Sequence, residues 1–207
     1  MARYTGPSCK LCRRAQKKLF LKGSRCVTEK CAVLRKNYPP GLKGQESKGK
    51  VSDYSLQLRE KQNARAIYGI LEGQFRLYFA TAARQKGITG DNLFVLLERR
   101  LDNVIFRAGW AESRAQSRQF VRHNHVLING RRVNIPSCLV NEGDVISVKE
   151  KSRELLVGDK VKNPINKTPI WLKLNSDHAA AQVLRIPKRE DIDTEINENL
   201  IVALYSK

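Results

Sequence analysis

Apolar side chains at Leu71, Phe75, Tyr78, Phe79 and Ala82 recur at i, i+4, i+7, i+8 and i+11, the period of one helix face, and Gly87 ends the run. This aromatic stripe reads as core packing. Before it, Ser52 is placed to cap a helix that carries Tyr54, Leu58 and Arg65, turns several cations outward, and reaches Tyr68 before Gly69. A third helix is predicted from Asn92 to Ala108, with Leu93, Leu96, Leu97, Leu101, Val104 and Ile105 on one side and Gly109 beyond its end. Ser113 reads as the cap of a fourth, in which Ser117, Phe120, Val121 and Asn124 share a face. Arg114, Arg118 and Arg122 fall together roughly a quarter turn or more away, so one side packs while the adjoining side is cationic.

Past this helix the period changes. Val126–Ile128 and Arg131–Val133 are β-prone runs joined by Asn129-Gly130, the strongest two-residue signal for a type I′ hairpin, which thrusts Arg131 and Arg132 outward. Glu142-Gly143-Asp144 is a turn into a strand at Val145–Val148. Further strands are predicted at Trp171–Leu174, Val183–Ile186 and Leu200–Tyr205. Between the last two lie Glu190, Asp191, Asp193, Glu195 and Glu198, read as a solvated face, with a docking site for a basic neighbour as the alternative. Tyr38-Pro39-Pro40-Gly41 is extended and turning, and Leu42 to Lys50 reads as a loop or boundary.

Charge narrows the function. Thirty-nine Lys and Arg against 20 Asp and Glu give a formal charge of +19 in 207 residues, which calls for a polyanionic partner. No stretch approaches the roughly 20 apolar residues of a membrane span, and Met1 to Lys10 holds no signal-peptide core, which favours nucleic acid over a membrane. Residues 1–50 carry 14 of the cations against only Glu29 and Glu46, while Ser113 to Asn141 contains five arginines, two histidines and no acid. The basic head could be an arm that folds on RNA. Its cysteines argue for a fixed structure.

Cys9, Cys12, Cys26 and Cys31 form C-x2-C-x13-C-x4-C, two thiolate clips that suit one tetrahedral metal ion. Two disulfides are the alternative, disfavoured in a reducing compartment. Zinc is the first choice and an iron–sulfur cluster the second, since both accept four cysteines. Such a knuckle would order Lys10, Arg13, Arg14, Lys17, Lys18, Lys22, Arg25, Lys30, Arg35 and Lys36 for phosphates. Cys138, without a partner cysteine nearby, reads as a small buried residue. Arg3, Lys43, Lys50, Arg59, Lys61 and Arg65 join the candidate RNA contacts, as do His123, His125 and Asn129 beside the arginines of the fourth helix and hairpin.

Leu97-Glu98-Arg99-Arg100-Leu101-Asp102-Asn103-Val104, Ser113-Arg114 through Arg122-His123-Asn124-His125-Val126, Ile128-Asn129-Gly130-Arg131-Arg132-Val133 and Glu142-Gly143-Asp144 together resemble the RNA-binding domain named after small-subunit ribosomal protein four. Met1 to Pro7, Tyr38-Pro39-Pro40-Gly41, Leu58-Arg59-Glu60-Lys61-Gln62 and Ile67-Tyr68-Gly69 are similar to the bacterial members of that ribosomal family, in their four-cysteine form. The likeness covers nearly the whole chain and is weakest between Leu155 and Asp177. Two departures stand out: Leu42-Lys43-Gly44 replaces the family's Gln-His-Gly, and Asn124 replaces the glycine between paired histidines, a position Asn can hold in the left-handed conformation.

The resemblance implies an α+β fold: a knuckle at 1–45, a helical body at 46–96 to which 155–207 returns with its strands, and an inserted RNA-binding domain at 97–154. It implies a non-enzymatic component of the small ribosomal subunit in the cytoplasm of a bacterium or in an organelle. Such a protein binds small-subunit ribosomal RNA at a helix junction, nucleates assembly and lies beside small-subunit protein five and near messenger RNA, at an interface affecting decoding accuracy. Some members repress their own operon.

Two rivals share the small RNA-binding domain. Pseudouridine synthases place a catalytic Asp in a Gly-Arg-Leu-Asp context that Arg99-Arg100-Leu101-Asp102 superficially resembles. Here Asp102 falls inside a predicted helix with no catalytic domain after it, so a structural role is expected. A stand-alone RNA chaperone would explain the arginines but neither the knuckle nor the helical body. His123 and His125 lack a paired carboxylate or nucleophile and read as packing or RNA-stacking residues, and His178 as a surface residue.

Overall fold

The computed structural model describes residues 2–46, 51–162 and 168–206. The helices are α1 (Ser8–Ala15), α2 (Ala32–Arg35), α3 (Asp53–Tyr68), α4 (Glu72–Arg84), α5 (Thr89–Glu98), α6 (Leu101–Arg107), α7 (Arg114–Arg122), α8 (Arg153–Lys162) and α9 (Glu198–Tyr205). The strands are β1 (Val126–Ile128), β2 (Arg131–Arg132), β3 (Val145–Val148), β4 (Leu172–Leu174) and β5 (Ala180–Val183). Two compact units divide the chain: Met1–Leu93 with Thr194–Lys207, and Phe94–Asp193. The α+β class holds.

In the first unit the expected caps form. The Ser52 hydroxyl accepts the Ser55 N–H, and Gly69 leaves α3 at φ 63°. Phe75, Tyr78 and Ala82 of α4 are buried, as the stripe predicts. Leu200–Tyr205, expected as a strand, is helical. Asn197 caps α9 by accepting the Asn199 N–H, Ile201 is fully buried, and the Tyr205 ring stacks on Phe79 at 4.5 Å. Period alone could not separate helix from strand in so short an apolar run.

The second unit is built on an antiparallel sheet in the order β2-β1-β3-β5-β4. Asn129 and Gly130 take φ 49° and 76°, the two positive values a type I′ turn requires. Ile146 and Val148 of β3 alternate inward, Ile146 lies opposite Ala181 of β5, and these sit with Val183 in a core that also holds Leu101, Val104, Ile105, Trp110, Val121, Leu156 and Trp171. The predicted return of the C-terminal strands to the helical body is therefore corrected. Residues 172–183 extend the sheet of the second unit, because β1 covers only one edge of β3 and β5 pairs along the other. What returns to the first unit is α9.

The predicted helix from Asn92 to Ala108 is also corrected: it breaks at Arg100, whose ψ of 135° is extended. Arg100 bridges Leu139, while the N–H groups of Leu101 and Asp102 donate to the carbonyls of Cys138 and Pro136. Nonlocal backbone pairing thus replaces a helical turn. The acidic stretch is not a purely solvated face either, since Asp191 holds Arg185 through two bonds of 2.7 and 2.8 Å and Asp193 reaches Arg107 at 3.3 Å.

Candidate nucleic-acid interface

In the second unit, α7 begins as expected, with the Ser113 hydroxyl accepting the Gln116 N–H, and ends at Asn124 in the left-handed region. Its three arginines do not form one free stripe. Arg118 is 6% exposed and reaches Asp102 at 3.3 Å; Arg114 donates to the Asn103 side-chain amide oxygen at 2.7 Å and lies over the Phe106 ring at 4.4 Å. Both are claimed by α6, one turn of which carries Asp102, Asn103 and Phe106. Only Arg122 of the three is exposed.

Asp102 is itself 3% exposed and accepts two bonds from Arg100, at 3.0 and 2.6 Å. Beside it, fully buried Glu98 takes a bidentate pair from Arg107, both bonds at 3.0 Å, and a bond from the Asn103 amide at 2.7 Å. This ionic cluster escaped the sequence reading. Its signal was present: charged and amide residues at 98, 100, 102, 103 and 107 interrupt an otherwise apolar helix pattern. With its lone pairs taken by arginines, Asp102 serves as a structural anchor.

At the hairpin tip, Arg131 and Arg132 are exposed, and among the described residues neither enters an ion pair within 4 Å. Asn129 is spent on the turn: its amide donates to Asp144 at 2.8 Å, and its oxygen accepts the Val145 N–H at 2.9 Å. Two arginines are thereby held out on a braced tip. His123 is exposed; half-buried His125 shares a 2.9 Å hydrogen bond with the Ser152 hydroxyl and meets the Phe120 ring edge-on. Burial first, then repulsion from His123 and Lys149, holds the His125 ring below the usual histidine range, so it favours the neutral form.

In the first unit, Arg3, Lys10, Arg14, Lys22, Arg25, Lys30, Arg35, Lys36, Lys43 and Arg59 are exposed, and Lys18 is half-buried. Other predicted contacts are used internally. Arg13 donates to the Tyr38 and Pro39 carbonyls at 3.0 and 3.3 Å and lies over the Tyr38 ring, clamping the proline turn. Lys17 pairs with Glu60 at 3.0 Å, Lys61 with Glu72 at 2.9 Å and Arg65 with Glu72 at 2.8 Å. Leu42, one of the departures from the family pattern, stands fully in solvent beside exposed Lys43. Lys50 lies outside the described residues.

The four head cysteines line one small pocket with Lys22, Arg25, Ala32 and Val33. None of them forms a disulfide. Among the described residues no three Cys, His, Asp or Glu side chains already stand as a metal-ligating set. The donor chemistry nevertheless suits a soft cation. Within residues 2–46 the buried side chains are those of Cys12, Leu19, Cys26 and Cys31, so thiols take the place of an apolar core. The Lys22 N–H points at the Cys26 sulfur at 3.3 Å, as it would toward a thiolate. Burial pushes the Cys12 thiol up, the Leu19 backbone bond opposes this, and Cys26, Cys9 and Cys31 raise it further. A bound cation would reverse that cost. Cys138 is half-buried against the second unit's core, where burial raises its thiol.

Among the described residues no helix is long and apolar enough to cross a membrane. Residues 3–98 match the family model of the ribosomal protein S4/S9 N-terminal domain, and residues 99–146 that of the S4 domain. The chain is 57% identical to the small ribosomal subunit protein uS4 of Heliobacterium modesticaldum, and 56% identical to those of Acetivibrio thermocellus and Geobacter sulfurreducens, over the full length of each pair. The chain belongs to the uS4 family.

Proposed function

We propose that this chain is a structural, non-catalytic constituent of the bacterial small ribosomal subunit, working in the cytoplasm, that binds the subunit's ribosomal RNA directly. Beside the family membership, the observation that carries the reading is the hairpin tip, where Arg131 and Arg132 are exposed on a turn braced by Asn129 and Asp144. Rigidly held cations recognise RNA by the arrangement of its phosphates, and the exposed cations of the basic head add a second charged surface. The RNA element is a helix junction, and binding nucleates assembly; protein five is a neighbour at an interface affecting decoding accuracy, and messenger RNA passes nearby. Titration of a small-subunit RNA junction tests direct binding, and reconstitution lacking this protein should stall before later proteins join. Normal assembly in its absence would refute the nucleating role.

We further propose that Cys9, Cys12, Cys26 and Cys31 hold one structural zinc ion, with an iron–sulfur cluster as the alternative. Support comes from the shared pocket and from thiols occupying the place of a core. Elemental analysis of the purified chain should find one zinc per molecule, or iron with labile sulfide, and Cys26→Ser should lose it. Full metal occupancy in that variant would refute the assignment.

A further inference from the structure

We propose that Phe20 stacks on a nucleobase of the RNA bound by the basic head, an inference that rests on the RNA-binding reading above. Phe20 takes φ 49°, in the left-handed region where a side chain with a Cβ is strained. Among the described residues the other non-glycine positive φ values belong to Gln16, Asn124, Asn129 and His178, all polar. Asn124 and Asn129 are of the short polar type that tolerates this conformation, and they serve a helix end and a turn. Phe20 is apolar and bulky, and the residue is 52% exposed. A glycine here would relieve the strain, and burying the ring would gain hydrophobic stabilisation. The fold does neither.

The neighbours explain how the ring is held out. Leu19 is 4% exposed and its backbone bonds the Cys12 thiol, while the Lys22 N–H bonds the Cys26 sulfur at 3.3 Å. Both sides of Phe20 are thus tied to the cysteine pocket, and the strained residue between them is aimed outward. The surroundings select the partner. No acidic residue occurs before Glu29, Lys18 and Lys22 stand two residues to either side of Phe20 in the chain and enter no ion pair among the described residues, and Lys17 is tied to Glu60. An exposed aromatic among cations that can meet phosphates fits a nucleobase, whose π-face it covers whatever the base. Strained backbone persists only where the surrounding fold over-determines it, and such residues cluster at binding sites.

The test titrates full-length wild type, Phe20→Ala, Phe20→Gly and Phe20→Trp with a small-subunit RNA junction at several salt concentrations. Phe20→Ala should bind about tenfold more weakly, with the slope of log K against log salt unchanged because no phosphate contact is lost. Phe20→Gly should melt at the wild-type temperature or higher while binding equally weakly, which separates stacking from folding. Phe20→Trp should bind within about twofold of wild type and show quenched emission on binding, above the background of buried Trp110 and Trp171 measured in wild type. If wild type itself does not bind, the RNA-binding reading falls and takes this inference with it. If wild type binds and Phe20→Ala binds within twofold of it, the stacking inference alone is overturned. The same holds if the alanine variant keeps its RNA affinity but fails to enter subunits, since the ring then faces a protein.

Discussion

Replacing Asp102 by Ala should be among the most damaging single substitutions in the second unit. The carboxylate is 3% exposed, takes two bonds from a fully buried Arg100 at 3.0 and 2.6 Å, and meets Arg118, 6% exposed, at 3.3 Å. Removing it leaves two buried guanidiniums without their shared counter-charge. Breaking one buried pair costs about 3–5 kcal/mol, and a carboxylate shared by two arginines belongs at the upper end. Typical domains have about 5–15 kcal/mol in all, so a third or more of the stability is at stake. For a unit spanning residues 94–193, that corresponds to a fall in Tm of roughly 15–25 °C. By contrast, the partly exposed Lys17–Glu60 pair should be worth at most about 1 kcal/mol. Urea unfolding followed by circular dichroism measures the difference, and a double-mutant cycle with Arg118→Met isolates the Asp102–Arg118 coupling. Asp102→Asn, which keeps one acceptor oxygen, should fall between. A loss below about 1 kcal/mol for Asp102→Ala would refute the buried-anchor reasoning, and pseudouridine formed by the wild-type chain would refute its structural role.

Arg131→Gln combined with Arg132→Gln should weaken RNA binding and reduce the magnitude of the salt slope by roughly 0.7 to 0.9 for each lost phosphate contact, with the fold intact by circular dichroism. Unchanged affinity and slope would remove the hairpin tip from the interface. Because His125 lies below its unfolded value of 6.5, the folded protein binds fewer protons there; its contribution to stability is whole above that pH and is lost as pH falls below it. The urea midpoint should therefore drop more steeply between about pH 7.5 and 5.5 in wild type than in His125→Gln, and parallel curves would contradict this. Tyr205 donates to Glu72 at 2.9 Å, and burial and that carboxylate push its phenol well above the usual range, so Tyr205→Phe should lower the stability of the first unit by about 1 kcal/mol. An unchanged urea midpoint would show that bond to be idle.

What could be read in the chain was what short-range chemistry decides. Ser52 and Ser113 each announce a helix start, Gly69 an end, and Asn129-Gly130 a hairpin, because each satisfies a local backbone demand within a few residues. The break at Arg100 was hidden, since it depends on pairing with Leu139, far along the chain, while the local pattern runs on as helix. The strand expected at Val183–Ile186 lies at Ala180–Val183 instead, and its destination was hidden for the same reason: the local pattern does not say that the open edge of β3 receives it. For α9 a local signal did exist. Asn197 as a cap would have favoured helix over strand at Leu200–Tyr205.

The candidate interface shows a related limit with a functional consequence. Helical spacing correctly places Arg114, Arg118 and Arg122 near one another, but spacing does not say what lies across from them. Asp102, Asn103 and Phe106 claim the first two, while Glu72 takes both Lys61 and Arg65. A formal charge of +19 therefore overstates what RNA meets. A buried arginine–carboxylate pair is nearly neutral from outside, so its loss is felt as unfolding, with little change in the salt dependence of the molecules that remain folded. Arg118→Gln and the Arg131, Arg132 double variant separate these two uses of a cation. The first should lower the urea midpoint while leaving the slope of log K against log salt near its wild-type value; the second should do the reverse. If Arg118→Gln instead flattened the slope with stability unchanged, α7 would face RNA along its whole cationic flank, and the reading of its arginines as anchors would be wrong.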